Sequence, residues 1–238
     1  MTYTANIFAS SIVAVGAFNP AIVTPDWLEH NGLLGSSDAA EARDSPSLLV
    51  SHQASMIETH WFALQVLNNQ FSLTSKSALS PAFKDLAVGI FTLLPHMPVT
   101  AVGLNFMGHF AMRSVDDYHR VGDVFAPKAI WDSIFDSREN NAGLANMSIR
   151  VQHAKRNEPK PPPDEIRVQI QPSAKITNGI YLLYNNHIAT FSRETDDGVE
   201  RTLGVAEVIE SEWHPTWERA VSVFDRLLAG ALDKPEEV

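Results

Sequence analysis

The stretch Val99-Thr100-Ala101-Val102-Gly103-Leu104-Asn105-Phe106-Met107-Gly108-His109-Phe110-Ala111-Met112 decides the fold class. Successive side chains of a strand point to opposite faces, so its residues divide into two sets. Val102, Leu104, Phe106, Phe110 and Met112 form an apolar set. Ala101, Gly103, Asn105, Met107, His109 and Ala111 form a smaller and more polar one. One apolar face and one wettable face are the mark of an antiparallel sheet.

Upstream, Ser80-Pro81 supplies a cap and a first-turn proline. Phe83, Ala87, Ile90 and Leu94 then recur on one helical face, and Pro95 and Pro98 stop the helix. Met56–Leu67, a turn at Asn68-Asn69-Gln70, and Phe71-Ser72-Leu73-Thr74 predict a hairpin. The polar segment Ser36–Pro46 reads as a surface loop. Thr24-Pro25-Asp26-Trp27 opens a short helix that Gly32 and Gly35 close, and Ser11–Phe18 forms a first strand ended by Asn19-Pro20.

Downstream, Ser114 opens a helical stretch that Pro127 divides, with Lys128–Phe135 as its second part. Strands follow over Ser148–Lys155, Glu165–Gln171 and Gly179–Phe191. The tract Pro159-Lys160-Pro161-Pro162-Pro163 joins the first two, and Asp196-Asp197-Gly198 marks an exposed turn. A last helix starts near Pro215, with Trp217, Val221, Phe224, Leu227 and Leu228 at helical spacing. No internal repeat stands out. Helices do not alternate strictly with strands, which disfavours a parallel doubly wound sheet. The expectation is an α+β fold, a mainly antiparallel sheet with helices packed on one face, formed as a single domain over residues 1–238.

The composition is that of a globular protein: 45% hydrophobic and 19% charged. Lys and Arg number 18 against 28 Asp and Glu, a formal charge of -10. That mean field repels polyanions and argues against nucleic acid and anionic membranes. The local basic stretch Arg150, Lys155, Arg156, Lys160 and Arg167 is interrupted by Glu158, Asp164 and Glu165, and reads as a solvated hairpin. There are no cysteines, so disulfides, thiolate catalysis and Cys-type metal sites are excluded. Ile7–Phe18 is apolar, but no Lys or Arg precedes Arg43 to make the basic flank of a secretory signal. No run is long enough to predict a membrane span. The expected location is cytoplasmic.

The chemical motifs are negative. No GxGxxG, GxxxxGK or GxSxG pattern occurs, and no histidine pair has HxH or HExxH spacing. No cofactor and no metal are expected. Carboxylates at Asp116–Asp117, Asp196–Asp197 and Glu236–Glu237 are adjacent in sequence, which does not make them face each other. The best polar constellation is Asn105 with His109, four apart in one strand and so on one sheet face. Glu58 and His60 share a face of an earlier strand. If the two strands pair, Glu58, His60, Asn105 and His109 gather into a patch capable of acid–base work.

Two stretches carry a resemblance. Trp61–Val66 running to Phe71-Ser72-Leu73, then a helix, then Val99–Phe106, is similar to a patchily distributed group of uncharacterised prokaryotic α+β proteins. In that group a strand of the form V-x-x-V-G-L-x-x-x-N follows a helix, and two central strands precede it; here Asn105 falls earlier than that asparagine. Tyr118–Asp123 and Ala126–Trp131 are also familiar from small bacterial proteins. The resemblance covers about the first three-fifths of the chain and implies a prokaryotic cytoplasmic protein, with no activity attached. The expected function is therefore a non-enzymatic protein–protein interaction module or complex subunit, with a protein partner or a homo-oligomer. The alternative is a small-ligand-binding protein or enzyme using the sheet face of His60, Asn105 and His109.

Overall fold

The structure is a computed structural model that describes residues 3–76, 80–132, 134–135, 142–152, 164–190, 193–194, 200–201 and 204–233. The long alternating segment forms the strand β6, Val99–Ala111, and it lies in the middle of a nine-stranded sheet. The other strands are β1 (Ile7–Gly16), β2 (Leu49–Val50), β3 (Ala54–Glu58), β4 (Phe62–Leu67), β5 (Gln70–Ser75), β7 (Met147–Gln152), β8 (Glu165–Pro172) and β9 (Gly179–Ala189). Their spatial order is β2-β3-β4-β5-β1-β6-β9-β8-β7, and every pairing is antiparallel. A small separate pair joins Arg193–Glu194 to Glu200–Arg201.

The order contains an internal repeat that the sequence does not display. The first half runs strand β1, short helices, strands β3, β4 and β5, then the helix α3 (Pro81–Leu93). The second half runs strand β6, two helices, strands β7, β8 and β9, then the helix α6 (Val205–Leu232). In space the halves read β3-β4-β5-β1 and β7-β8-β9-β6, and they join by antiparallel pairing of β1 with β6. The arrangement is a pseudo-two-fold about the β1–β6 seam, and α3 packs on α6.

One face of the sheet is the core face. A continuous row crosses it: Ile57, Leu64, Leu73, Ile12, Leu104, Asn186, Ile166 and Val151, partner by partner. Most of these side chains belong to one buried cluster with Phe83, Leu86 and Ile90 of α3 and Ile209, Trp213, Phe224 and Leu228 of α6. Trp213 meets Phe106 at 4.8 Å and Phe83 at 5.6 Å, so one indole ties the sheet to both long helices.

Three local expectations need correction. The segment expected to be a loop at Ser36–Pro46 contains the helix α2, Ser36–Asp44. Ala39 and Ala42, one turn apart, are wholly buried, and Arg43 clamps Asp26 and Glu29 of the helix α1 (Pro25–His30) at 2.6 and 2.8 Å. Two alanines give little sequence signal but pack closely against a neighbour. The predicted strand Met56–Leu67 is two strands, broken at Thr59-His60-Trp61, where Thr59 Oγ1 accepts from Phe62 N. The last helix begins at Val205, nearly three turns before Pro215, and runs through it. Proline removes one i→i−4 donor, a cost of about 3 kcal/mol, which burial of Val208, Ile209 and Trp213 before it offsets.

Gly16 shows how tightly the seam is closed. It sits at a register shift between β1 and β6, and a Cβ there would lie 2.2 Å from the Pro98 carbonyl oxygen. No side chain fits.

Candidate functional site

The face opposite the core carries the residues singled out from sequence. A second row crosses it: Glu58, Ala63, Thr74, Ser11, Asn105, Asn185, Arg167 and Arg150. Asn105 and Glu58 do share a face and even a row. The strands β3 and β6 do not pair, however, because β4, β5 and β1 stand between them. Four inter-strand steps put them on the order of 19 Å apart. His60 is not on the strand at all. It lies in the β3–β4 turn, where its Nδ1 meets Glu41 Oε2 at 2.7 Å. The four-residue patch therefore does not assemble: strand pairing is decided by partners far away in sequence, and no local pattern states it.

Asn105 is engaged by the sheet. Its Oδ1 accepts from Asn185 Nδ2 at 2.7 Å, and its Nδ2 donates to the Ser11 carbonyl at 3.4 Å. Gly103 leaves the space for this, since a Cβ there would lie 3.1 Å from Asn185 Nδ2. The pair of asparagines staples β1, β6 and β9 next to the pseudo-two-fold seam. Sequence reasoning picked out Asn105 but not Asn185, because the register that pairs them is tertiary.

His109 is 9% exposed, near the other end of β6. Its Nδ1 lies 2.8 Å from Ser173 Oγ, and its ring is 4.9 Å from that of Tyr181. Ser173 Oγ also accepts from Lys175 N at 3.1 Å and Ile176 N at 2.9 Å. With both lone pairs taken, the hydroxyl proton is the one that serves His109, so Nδ1 is the acceptor and Nε2 carries the ring proton. Burial, and secondarily the charge of Lys175, hold the imidazole pKa below its ordinary value. His109 is thus a neutral ring that locks the β8–β9 turn.

Among the described residues, one group could hold a metal ion. Asp38, Glu41 and His60 place a donor atom each within 4.8 Å of one another. Asp38 and Glu41 lie one turn apart on α2, and Trp61 Nε1 donates to Asp38 Oδ2 at 3.2 Å. The hydrogen bond to His60 is the main cause of the lowered Glu41 pKa. His60 and Glu41 are exposed and already paired with each other.

Two cavities occupy equivalent places in the two halves. One, about 440 Å³, is bounded by Phe18, Val23, Val66, Phe71, Ile90 and Leu94 and is nearly all apolar. The other, about 660 Å³, includes Tyr118, His119, Lys128, Asp132, Pro172 and Ile180. Val66 pairs with Phe71 and Pro172 with Ile180, each the last pair before its hairpin turn. His119 is on the helix α4 (Val115–Phe125), and Lys128, on the helix α5 (Lys128–Asp132), is bound to Asp123 at 3.0 Å.

Of the basic stretch, Arg150 and Arg167 face the row described above, and Arg167 pairs with Glu165 at 2.6 Å. Lys155, Arg156 and Lys160, with the proline tract, the Asp196-Asp197-Gly198 turn and Glu236–Glu237, lie outside the described residues. No described helix is long and apolar enough to cross a membrane.

The two halves differ in exposure at their outer strands. In β3 the core-face residues Ser55 and Ile57 are 0% and 1% exposed, sealed by the first half's own segments; Ser55 Oγ donates to the Val23 carbonyl at 2.6 Å. In β7 the core-face residues Ile149 and Val151 are 49% and 44% exposed. Ile130 and Trp131 of α5, and Ile134 and Phe135 just after it, are exposed as well. Compared with known proteins, the chain matches no family and no curated sequence.

Proposed function

We propose that the chain is a non-enzymatic protein–protein interaction module, working as a complex subunit in a prokaryotic cytoplasm, and that it contacts its partner through the outer end of its second half. The observation that carries this is the contrast between β3 and β7. The same position in the same repeat is sealed in the first half, and in the second the described residues leave it bare. Large apolar side chains left exposed on a strand face are a usual sign of a contact site, and the exposed Trp131 of α5 in the same half is the kind of side chain that anchors one. The long helices α3 and α6 pack against each other and the central core, and this end of the core face is the place where a partner would complete the fold. The resemblance to prokaryotic proteins supports the assignment of the cytoplasm.

The alternative, chemistry on the sheet face, has less support. Asn105 spends its polar atoms on Asn185 and Ser11, and His109 spends Nδ1 on Ser173. Groups committed to neighbours serve the sheet before they serve a ligand.

The test is native mass spectrometry of the protein isolated gently from its own cells, beside Trp131→Glu. An assembly that the variant loses, while its melting temperature is kept, is the expected result. A bare monomer carrying a small-molecule mass would move the reading to the ligand-binding alternative.

A further inference from the structure

We infer that the partner at the bare edge is a second copy of this chain, joined by antiparallel pairing of β7 with its counterpart about a two-fold centred on Ile149. The inference rests on the interaction-module reading and names its partner.

Among the described residues the sheet has two outer strands, β2 and β7. Natural sheets protect an edge by keeping its strand short. β2 has 2 residues and fits that pattern, whereas β7 has 6 and presents an outer row of backbone groups that no described strand pairs. Met147, Ile149 and Val151 lie on its core face, opposite Ile170, Val168 and Ile166 of β8.

A two-fold axis perpendicular to the sheet keeps core face beside core face, so directly opposed residues must have the same parity. Centring the axis on Ile149 places Ile149 against its own copy and Met147 against Val151 of the partner, twice. All the apolar residues of the strand are then matched. On the other face Arg150 stands against Ser148 and no like charges meet. Centring on Arg150 would set it against its own copy when each already faces Arg167 across β8, placing four guanidinium groups in one row, which is destabilising. Centring on Ser148 would set Val151 against Ala145 and waste its contact. The strand is therefore self-complementary in one register. The fold already uses the same device internally, since β1 and β6 join two like halves by long antiparallel pairing.

The natural chain has no cysteine, which makes the test clean. Opposed residues of an antiparallel pair are within disulfide reach, roughly 4.5–5.5 Å between Cα atoms. Ile149→Cys in the full chain is expected to give a covalent dimer under mild oxidation, and Arg150→Cys is not. Ile149→Lys, which sets two ammonium groups face to face, is expected to weaken the dimer at least tenfold in sedimentation while leaving melting of the monomer unchanged. Ser148→Glu, placed against Arg150 of the partner, is expected to tighten it. A monomer at every concentration up to the millimolar range overturns the second-copy inference. So does a dimer that crosslinks through Arg150→Cys, or one that Ile149→Lys leaves intact. A chain that is monomeric alone, yet forms a complex with a different protein that Ile149→Lys abolishes, would retain the interaction-module reading and discard the second copy. A chain with neither form of assembly would discard both.

Discussion

Ser173→Ala tests whether His109 is a neutral structural ring. The hydroxyl makes three contacts: with His109 Nδ1 at 2.8 Å, Ile176 N at 2.9 Å and Lys175 N at 3.1 Å. The last is exposed, so water replaces it. The first two are part-buried, and each is worth about 1 kcal/mol net, which gives a loss of ~1–2 kcal/mol at neutral pH. For a chain of this length that is a fall in melting temperature of roughly 2–8 °C. The pH dependence adds a second readout. Burial, then Lys175, lower the folded pKa of His109. Between that pKa and the ordinary value near 6.5 the unfolded chain binds the extra proton, so stability rises with pH through the window. The contribution is complete above about pH 6.5 and is lost as the pH falls toward the folded pKa. Urea unfolding at pH 7.5 and 5.5 measures both effects, and the imidazole resonances of His109 report its titration directly. In Ser173→Ala the ring loses the donor that favours its neutral form, so its pKa rises and the pH window narrows. A Ser173→Ala protein as stable as the parent at both pH values, or a parent His109 titrating above 6.5, would refute the assignment.

Thr216→Val leaves Asn186 Nδ2, held at 2.8 Å from Thr216 Oγ1 within the core, without its partner. It is expected to cost about 1–3 kcal/mol in chemical denaturation, and Asn186→Leu combined with Thr216→Val to recover part of that. Gly16→Ala drives a methyl into the Pro98 carbonyl. A loss of about 1–3 kcal/mol is expected from the forced shift of the β1–β6 seam, read as a lower urea midpoint with unchanged slope. Asn185→Ala removes the donor to Asn105 Oδ1 on the open face. It is expected to cost about 1 kcal/mol, with faster amide exchange at β6 and β9 as the local signature.

Part of this protein is written locally in its sequence. The alternation of Val99–Met112 placed a strand with Val102, Leu104 and Phe106 inward, and all three are buried. The cap and proline at Ser80-Pro81 placed the helix start at Pro81. Such signals work because the period of a strand or helix is set by neighbours a few residues apart. Ser36–Asp44 carries little helical signal, since two buried alanines are a weak apolar stripe, and Pro215 points to too late a start for α6, since its local signal is stronger than that of the burial that overrides it.

Tertiary structure decided the rest. Which strands pair is fixed by contacts over tens of residues, and it separated Glu58 from Asn105 while joining Asn105 to Asn185. The pseudo-two-fold is visible only as topology, because pairing order constrains the polarity of a position and leaves its residue identity free to diverge. The bare end of the second half is likewise a tertiary property. The apolar residues Ile149 and Val151 were legible as the inward face of a strand, and only the packed chain decided that its own described elements leave that face bare, where the equivalent face of the first half is sealed.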